Sequence, residues 1–191
     1  WVPWTGRPWA YRQAWRHLVL VFRAAGADNV QWVWTPYVDA HGRLPFASYF
    51  PGRRWTDWVG LDGINWGGRR PWRTFGRLFH SSYRQLVRLA PHKPVIIAET
   101  GSGERGGSKA RWLAAMLRRY VPRMRHIRAV SFWSVDDRRG DLRLDSSAAA
   151  VRTVRRALRQ PLYTASRAAL IHAPASTAGD GPRSRARARA G

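Results

Sequence analysis

Two hydrophobic patterns alternate along the chain. Apolar residues that recur every three or four positions predict amphipathic helices over 11–25, 72–89, 108–120 and 146–158. Short apolar or alternating segments bounded by Gly, Pro or Asp predict strands over 29–36, 57–63, 95–98 and 127–133. Asp145 or Ser146 is the expected N-cap of the last helix. Strands that alternate with helices predict an α/β fold with a parallel sheet, either doubly wound or half of an eight-stranded barrel.

The end of the chain has a different composition. Residues 172–191 consist mainly of Ala, Arg, Ser, Gly and Pro. Such a segment cannot bury enough apolar surface to offset the entropy of ordering it. The sequence therefore predicts one folded unit over 1–160 and a disordered Arg- and Ala-rich tail over 161–191.

The net charge of +23 comes almost entirely from arginine. Of 34 basic residues only Lys93 and Lys109 are lysines, and the arginines are spread over helices, loops and tail alike. A nucleic-acid-binding surface is instead a local cluster of basic residues. We therefore expect no specific nucleic-acid partner, and an Arg-rich nucleic-acid binder remains the lesser alternative.

Several other classes of function lack their sequence signals. The chain has no Cys, its six His are scattered, and "GSGERGG" does not end in the Gly-Lys-Ser/Thr of a phosphate-binding loop. We expect no metal and no cofactor. Neither a leader nor an apolar run of about 18 residues is visible, so no membrane partner is expected and the compartment is unknown from the sequence.

Glu99 is the first candidate for catalysis. It follows the apolar segment 95–98 and precedes the polar loop 100–103. Reacting groups of parallel α/β folds gather at the carboxyl ends of the strands, where a carboxylate can act as nucleophile or base. The alternative is a structural role, in which Glu99 caps a turn or pairs with an arginine.

Aromatic and polar residues stand at the other strand ends. They are Trp34, Asp62, Asn65, Trp66 and Trp133. Aromatic rings stack on the apolar faces of sugars, and a carboxylate stabilises the positive charge that develops when a glycosidic bond breaks. We therefore expect a carbohydrate site in which all of these residues except Asp62 bind substrate. Asp62 would either orient Glu99 or hold its own loop.

Several stretches in order resemble glycoside hydrolase family 26, the β-mannanase-like retaining hydrolases. They are "AWRHLVLVFRAAGADNVQWVWTP", "YFPGRRWTDWVGLDGINWG", "KPVIIAETGS", "GGSKARWL" and "DLRLDSS". The resemblance implies a (β/α)8 TIM barrel of which this chain is the C-terminal half, strands five to eight. It also implies that Glu99 is the nucleophile and that the protein is secreted. The expected substrate is β-1,4-mannan, with β-glucan and xylan as alternatives.

The same resemblance implies that part of the site is missing. The family's acid/base Glu lies in a His-Glu-x-Asn-Gly motif shortly before a Trp-x-Pro-Trp stretch, and this chain begins "WVPW". Trp1 would then contact substrate, and the acid/base would lie upstream with the N-terminal half of the barrel. Ile64 stands where the family has a Tyr that contacts the nucleophile. A fragment that is inactive alone is expected, and a non-catalytic carbohydrate-binding remnant is the alternative.

Overall fold

A computed structural model describes residues 4–38, 46–68 and 70–164. The expected substrate contact of Trp1 and the expected disorder of residues 165–191 lie outside these ranges. Every structural statement below concerns the described residues.

The four predicted helices are present in the predicted order, and two short helices, the second and the last of the list that follows, were not predicted. They are α1 (Pro8–Ala24), α2 (Phe46–Tyr49), α3 (Phe75–Leu89), α4 (Lys109–Ala115), α5 (Ala148–Leu158) and α6 (Pro161–Thr164). A π-helical turn, Met116–Tyr120, continues α4. The N-cap of α5 is Ser147, whose hydroxyl accepts a hydrogen bond from the Ala150 amide at 3.2 Å. The prediction of Asp145 or Ser146 was wrong, because the Ser146 hydroxyl is bonded to Lys109 and Glu104 instead.

Four strands form one parallel sheet in the order β1-β2-β3-β4. They are β1 (Val33–Trp34), β2 (Trp58–Asn65), β3 (Val95–Ser102) and β4 (Ile127–Phe132). A short antiparallel hairpin, β5 (Asp136–Asp137) with β6 (Gly140–Asp141), follows the sheet. The predicted parallel α/β fold is confirmed, and the strictly sequential strand order is that of a barrel wall.

The core lies between the sheet and the helices on one of its faces. Val59 and Leu61 of β2 and Ile97 of β3 are fully buried there, against aromatic residues of α3 and α4 such as Phe79 and Trp112. Side chains alternate between the two faces of a strand. Asp62 and Ile96 therefore face the opposite side, where they are only half-buried.

Part of the apolar surface of α1 remains exposed in the described structure, although Phe22 contacts the Trp32 ring edge-on. Val19 is fully buried, but Leu18, Val21 and Phe22 are 49%, 47% and 40% exposed. These three residues share one side of the helix, since they are three or four positions apart. We call them the α1 apolar face.

The ordered chain extends beyond residue 160. The helix α6 packs on the π-helical turn, where the Tyr163 hydroxyl donates a hydrogen bond to the Leu117 carbonyl at 2.7 Å. Burial raises the pKa of Tyr163 to about 12. The folded unit therefore reaches at least Thr164. None of the described helices is long and apolar enough to cross a membrane.

Candidate functional site

Glu99 lies inside β3 rather than at its end. The strand continues to Ser102, since β2 pairs with it as far as Ser102 and β4 as far as Thr100. The pairing register shifts by one residue near Glu99 on both sides of β3. On the β2 side, Leu61 and Asp62 pair with Ile97 and Glu99, so that Ala98 has no partner. On the β4 side, the register shifts between Ile97 and Thr100. A bulge of this kind re-aims side chains and is frequent beside active sites.

Asp62 is the direct neighbour of Glu99 in the sheet. Its Oδ1 atom is buried and has no hydrogen-bond partner among the described residues. Burial and then the charge of Glu99 raise the pKa of Asp62 to about 7, while a hydrogen bond from the Glu99 amide opposes the rise. Two carboxyl groups are thus held side by side, and neutral pH is close to the titration point of one of them.

The backbone around this pair is fixed from both sides. The Val38 amide donates to the Asp62 carbonyl at 2.7 Å, and the Asp62 amide donates to the Pro36 carbonyl at 3.1 Å. Next to Glu99, the Thr100 hydroxyl donates to the Gly63 carbonyl at 3.0 Å. The two carboxyl groups therefore stand on a rigid part of the sheet.

Asn65 and Trp34, both predicted to bind substrate, are buried in the described structure. Asn65 is 2% exposed, and its amide is used internally: Nδ2 donates to Ser102 at 2.9 Å, and Oδ1 accepts from the Arg73 amide at 2.8 Å. Trp34 is also 2% exposed and packs in the core against Phe46 and Phe50. Alternation along β1 turns Trp34 towards the helices and leaves its neighbour Val33 in solvent.

The other aromatic candidates lie near the carboxyl ends of the strands. Trp133 follows β4 and is 39% exposed. Trp66 follows β2, is half-buried, and carries the guanidinium of Arg139 over its ring at 3.9 Å from the centroid. Trp133 is thus exposed, whereas Arg139 covers one face of Trp66, and a sugar contact remains a prediction for each.

Tyr37 belongs to the same region, although the sequence did not lead us to predict it as a site residue. Its ring is 47% exposed, it bridges Asp62 in the sheet, and its hydroxyl accepts a hydrogen bond from the Ile64 amide at 3.3 Å. The hydroxyl that the family resemblance places at position 64 is absent there, but Tyr37 brings one nearby. The signal was present, because Tyr37 directly follows a predicted strand.

A buried lysine joins two loops beyond the strand ends. Lys109 is 1% exposed, and its ammonium donates to the Asp141 and Arg143 carbonyls at 2.8 and 2.9 Å and to the Ser146 hydroxyl at 2.5 Å. Burial lowers its pKa. A compact ammonium fits this cage of acceptors better than a planar guanidinium. The rarity of lysine in so Arg-rich a chain was the available signal.

Glu104 is held by the same cluster. Its Oε1 accepts from the Ser146 and Ser147 hydroxyls at 2.9 and 2.8 Å and lies 4.0 Å from the Lys109 ammonium. Glu104 therefore links the loop after β3 to the start of α5, which is a structural role.

A cleft of about 200 Å³ opens beside this cluster. Its lining residues are Trp66, Gly103, Glu104, Arg105, Asp136, Arg138, Gly140 and Asp141. Gly103 allows the two loops to touch, because a Cβ atom there would lie 2.5 Å from the Trp66 carbonyl oxygen. A larger open groove of about 580 Å³ lies among the helices, lined by Arg118 and Arg156, away from Glu99. No group of three or more potential metal ligands occurs in the part of the chain that the structure describes.

Comparison with known proteins links the chain to glycoside hydrolases. No protein-family model matches it. It is 34% identical over 153 residues to Endoglucanase H of Acetivibrio thermocellus, a stretch that is 78% of this chain but 17% of that protein. The chain thus spans about a sixth of the length of this curated relative.

One solved structure supports the fold, and a second is a weaker match. The GH26 domain of an endo-β-mannanase/endo-β-glucanase from Prevotella bryantii matches with a TM-score of 0.53 and 17% identity, over 81% of this chain and 40% of that one. An active-site mutant of a β-1,3-glucanosyltransferase from Rhizomucor miehei, in complex with laminaritriose, has a TM-score of 0.49 and 17% identity, over 72% and 53% of the two chains. The fold of this chain is that of part of an α/β barrel.

Proposed function

We propose that this chain is the C-terminal half, strands five to eight, of the catalytic barrel of a retaining endo-β-glycanase with Glu99 as its nucleophile. The observation that carries the proposal is the position of Glu99, at a bulge shared by both flanking strands and directly opposite a second carboxyl group. The proposed substrate is β-1,4-mannan, with β-glucan and xylan as alternatives. An oxygen of Glu99 would attack the anomeric carbon while the glycosidic C–O bond breaks, and water would then hydrolyse the glycosyl-enzyme.

Asp62 has the role of a positioning residue in this proposal. It accepts a hydrogen bond from the Glu99 amide, and its Oδ1 atom is buried, so it is poorly placed to reach a leaving group. It would instead hold the backbone of Glu99 in place at the bulge through this hydrogen bond. Glu99 would then present its carboxylate to the barrel interior.

The acid/base is the missing component. A retaining enzyme needs a second carboxyl group about 5–5.5 Å from the nucleophile to protonate the leaving oxygen. The sequence contains only one other Glu, Glu104, and that residue is bound to Ser146 and Ser147. We propose that the acid/base lies upstream of Trp1, and that this chain alone is inactive.

An incomplete barrel also accounts for the uncovered surfaces. Within the described sheet β1 and β4 are edge strands, whereas closure of a barrel pairs every edge. The α1 apolar face is where a preceding helix of the barrel would pack. The match to 40% of the Prevotella chain agrees with this size. The proposed partner is therefore the N-terminal half of the same barrel.

A non-catalytic carbohydrate-binding remnant is the second candidate. The cleft beside Trp66 favours it, because that cleft does not depend on Glu99. The two candidates differ in chemistry once the upstream half is present. Only the glycanase hydrolyses a β-glycan.

Azide rescue tests the proposal in the completed chain. Glu99→Ala should reduce mannan hydrolysis by several orders of magnitude, and azide should restore cleavage of an activated glycoside with inverted anomeric configuration, because the anion occupies the space of the lost carboxylate. Glu104→Ala is the matched control and should gain nothing from azide. Wild-type rates in Glu99→Ala would overturn the assignment.

A further inference from the structure

We propose that the cleft beside Trp66 binds a carboxylate-bearing sugar residue, such as a uronic acid, within a β-glycan. This inference rests on the proposed function, because it takes the ligand to be a β-glycan. The cleft lies between the ends of β2 and β3 and the β5–β6 hairpin. At about 200 Å³ it is smaller than a drug-sized pocket and suits a single sugar residue.

Two of the three acidic residues that line the cleft are already neutralised by neighbours. Asp141 holds the guanidinium of Arg143 through both oxygens, at 3.0 and 2.7 Å. Glu104 accepts two serine hydroxyls and faces the Lys109 ammonium. Neither carboxylate is therefore available to balance further positive charge in the cleft.

The arginines of the cleft are not neutralised in the same way. Arg105 and Arg138 both line it, both are exposed, and within the described ranges no carboxylate bonds to either guanidinium. Asp136 is the remaining acid of the lining, and its charge also acts on Arg143. The cleft thus keeps an excess of positive charge. A guanidinium binds a carboxylate through two parallel hydrogen bonds, which makes it selective for that group.

The aromatic ring of Trp66 makes a sugar the carrier of that carboxylate. Trp66 lines the same cleft. One face of its ring carries the Arg139 guanidinium, and the rest of the ring is apolar surface of the kind that contacts the C–H groups of sugars. The cleft also lies on the substrate side of the sheet. It begins after Ser102, three residues beyond Glu99 along β3, or about 10 Å at the rise of a strand. One glycan chain can therefore reach both.

The consequence is a preference among β-glycans. A chain with an acidic residue placed a short distance from the bond to be cleaved would bind more tightly than its neutral counterpart. Because both arginines are exposed, added salt should weaken the preference. A neutral chain would still bind through Trp66, without the contribution of the arginines.

A binding measurement on the 191-residue chain tests this proposal. The probes are a β-1,4-linked tetrasaccharide that carries one glucuronic acid and the same tetrasaccharide with that carboxyl group reduced to the alcohol. Calorimetry should give about tenfold tighter binding of the acidic probe. Arg105→Gln combined with Arg138→Gln should abolish this preference, whereas the matched pair Arg125→Gln and Arg128→Gln, also exposed arginines, should keep it.

The remaining arms separate the outcomes. Equal binding of both probes, or a preference that survives loss of Arg105 and Arg138, would overturn this inference and leave the proposed function standing. Inorganic sulfate that competes as strongly as the acidic probe would reduce the cleft to a simple anion site and also overturn it. Glu99→Gln should leave the preference for the acidic probe unchanged. The nucleophile assignment is tested separately, by hydrolysis in the completed chain.

Discussion

Replacing Asp62 with asparagine should change how the stability of the protein depends on pH. The folded-state pKa of Asp62 is about 7, above its ordinary value of 3.8, chiefly because the group is buried and next because Glu99 is beside it. The folded state therefore holds this proton more tightly than the unfolded chain does. The stabilisation is complete below about pH 4 and is lost as the pH rises through 7.

The size of the effect follows from the same values. A rise from 3.8 to about 7 corresponds to at most about 4 kcal/mol. Because Asp62 is only half-buried, solvent screens part of this energy, and about 2 kcal/mol is the expected change. Asparagine cannot ionise, so Asp62→Asn should lack this loss of stability. Glu99→Gln should reduce it only in part, since burial is its larger cause.

Urea unfolding at pH 4, 6 and 8 measures the effect. The free energy of unfolding of Asp62→Asn, minus that of the parent chain, should increase by about 2 kcal/mol between pH 4 and pH 8. Taking the difference removes the contributions of titrating groups that do not interact with Asp62. Asp28→Asn, at an exposed carboxylate, is the control and should give a constant difference. A constant difference for Asp62→Asn as well would refute the reasoning.

Three other outcomes are expected. Lys109→Ala should cost about 3 kcal/mol in urea unfolding, because it leaves two part-buried carbonyls and Glu104 without their cation, and Lys109→Arg should not restore the loss. The exposed α1 apolar face should cause the 191-residue chain to self-associate in sedimentation experiments; glutamine at Leu18 and Val21 should lower that self-association, whereas Val19→Ala should lower stability instead. The 191-residue chain alone should release no reducing sugar from mannan, since it lacks a general acid; turnover abolished by Glu99→Gln would contradict this.

The strands that could be predicted from the sequence are those formed by apolar segments that are buried in the structure. β2 and β3 were located because Val59, Leu61, Val95 and Ile97 form continuous apolar segments between turn signals. β1 was predicted over 29–36 but forms a ladder only at Val33–Trp34. Alternation of apolar and polar residues shows that the two faces of a strand differ. It does not show how many residues of the strand pair with a neighbouring strand.

The candidate site was predictable only in outline. The strand-end argument located Glu99 and Asp62, although it placed Glu99 at the end of a strand that continues for three more residues. It did not anticipate the burial of Asn65, because the partners of that amide are Ser102 and Arg73, which are 37 and 8 residues away. Such contacts depend on how the loops fold back on each other, and no local pattern encodes them.

Trapping the covalent intermediate tests the central claim most directly. The chain is completed with its upstream barrel half, treated with a 2-deoxy-2-fluoro glycoside that forms a slowly hydrolysed glycosyl-enzyme, and digested for mass spectrometry. The account predicts one sugar adduct on the peptide that contains Glu99, and none in Glu99→Gln. An adduct on Asp62 or Glu104, or hydrolysis of the glycan with no adduct on Glu99, would contradict it.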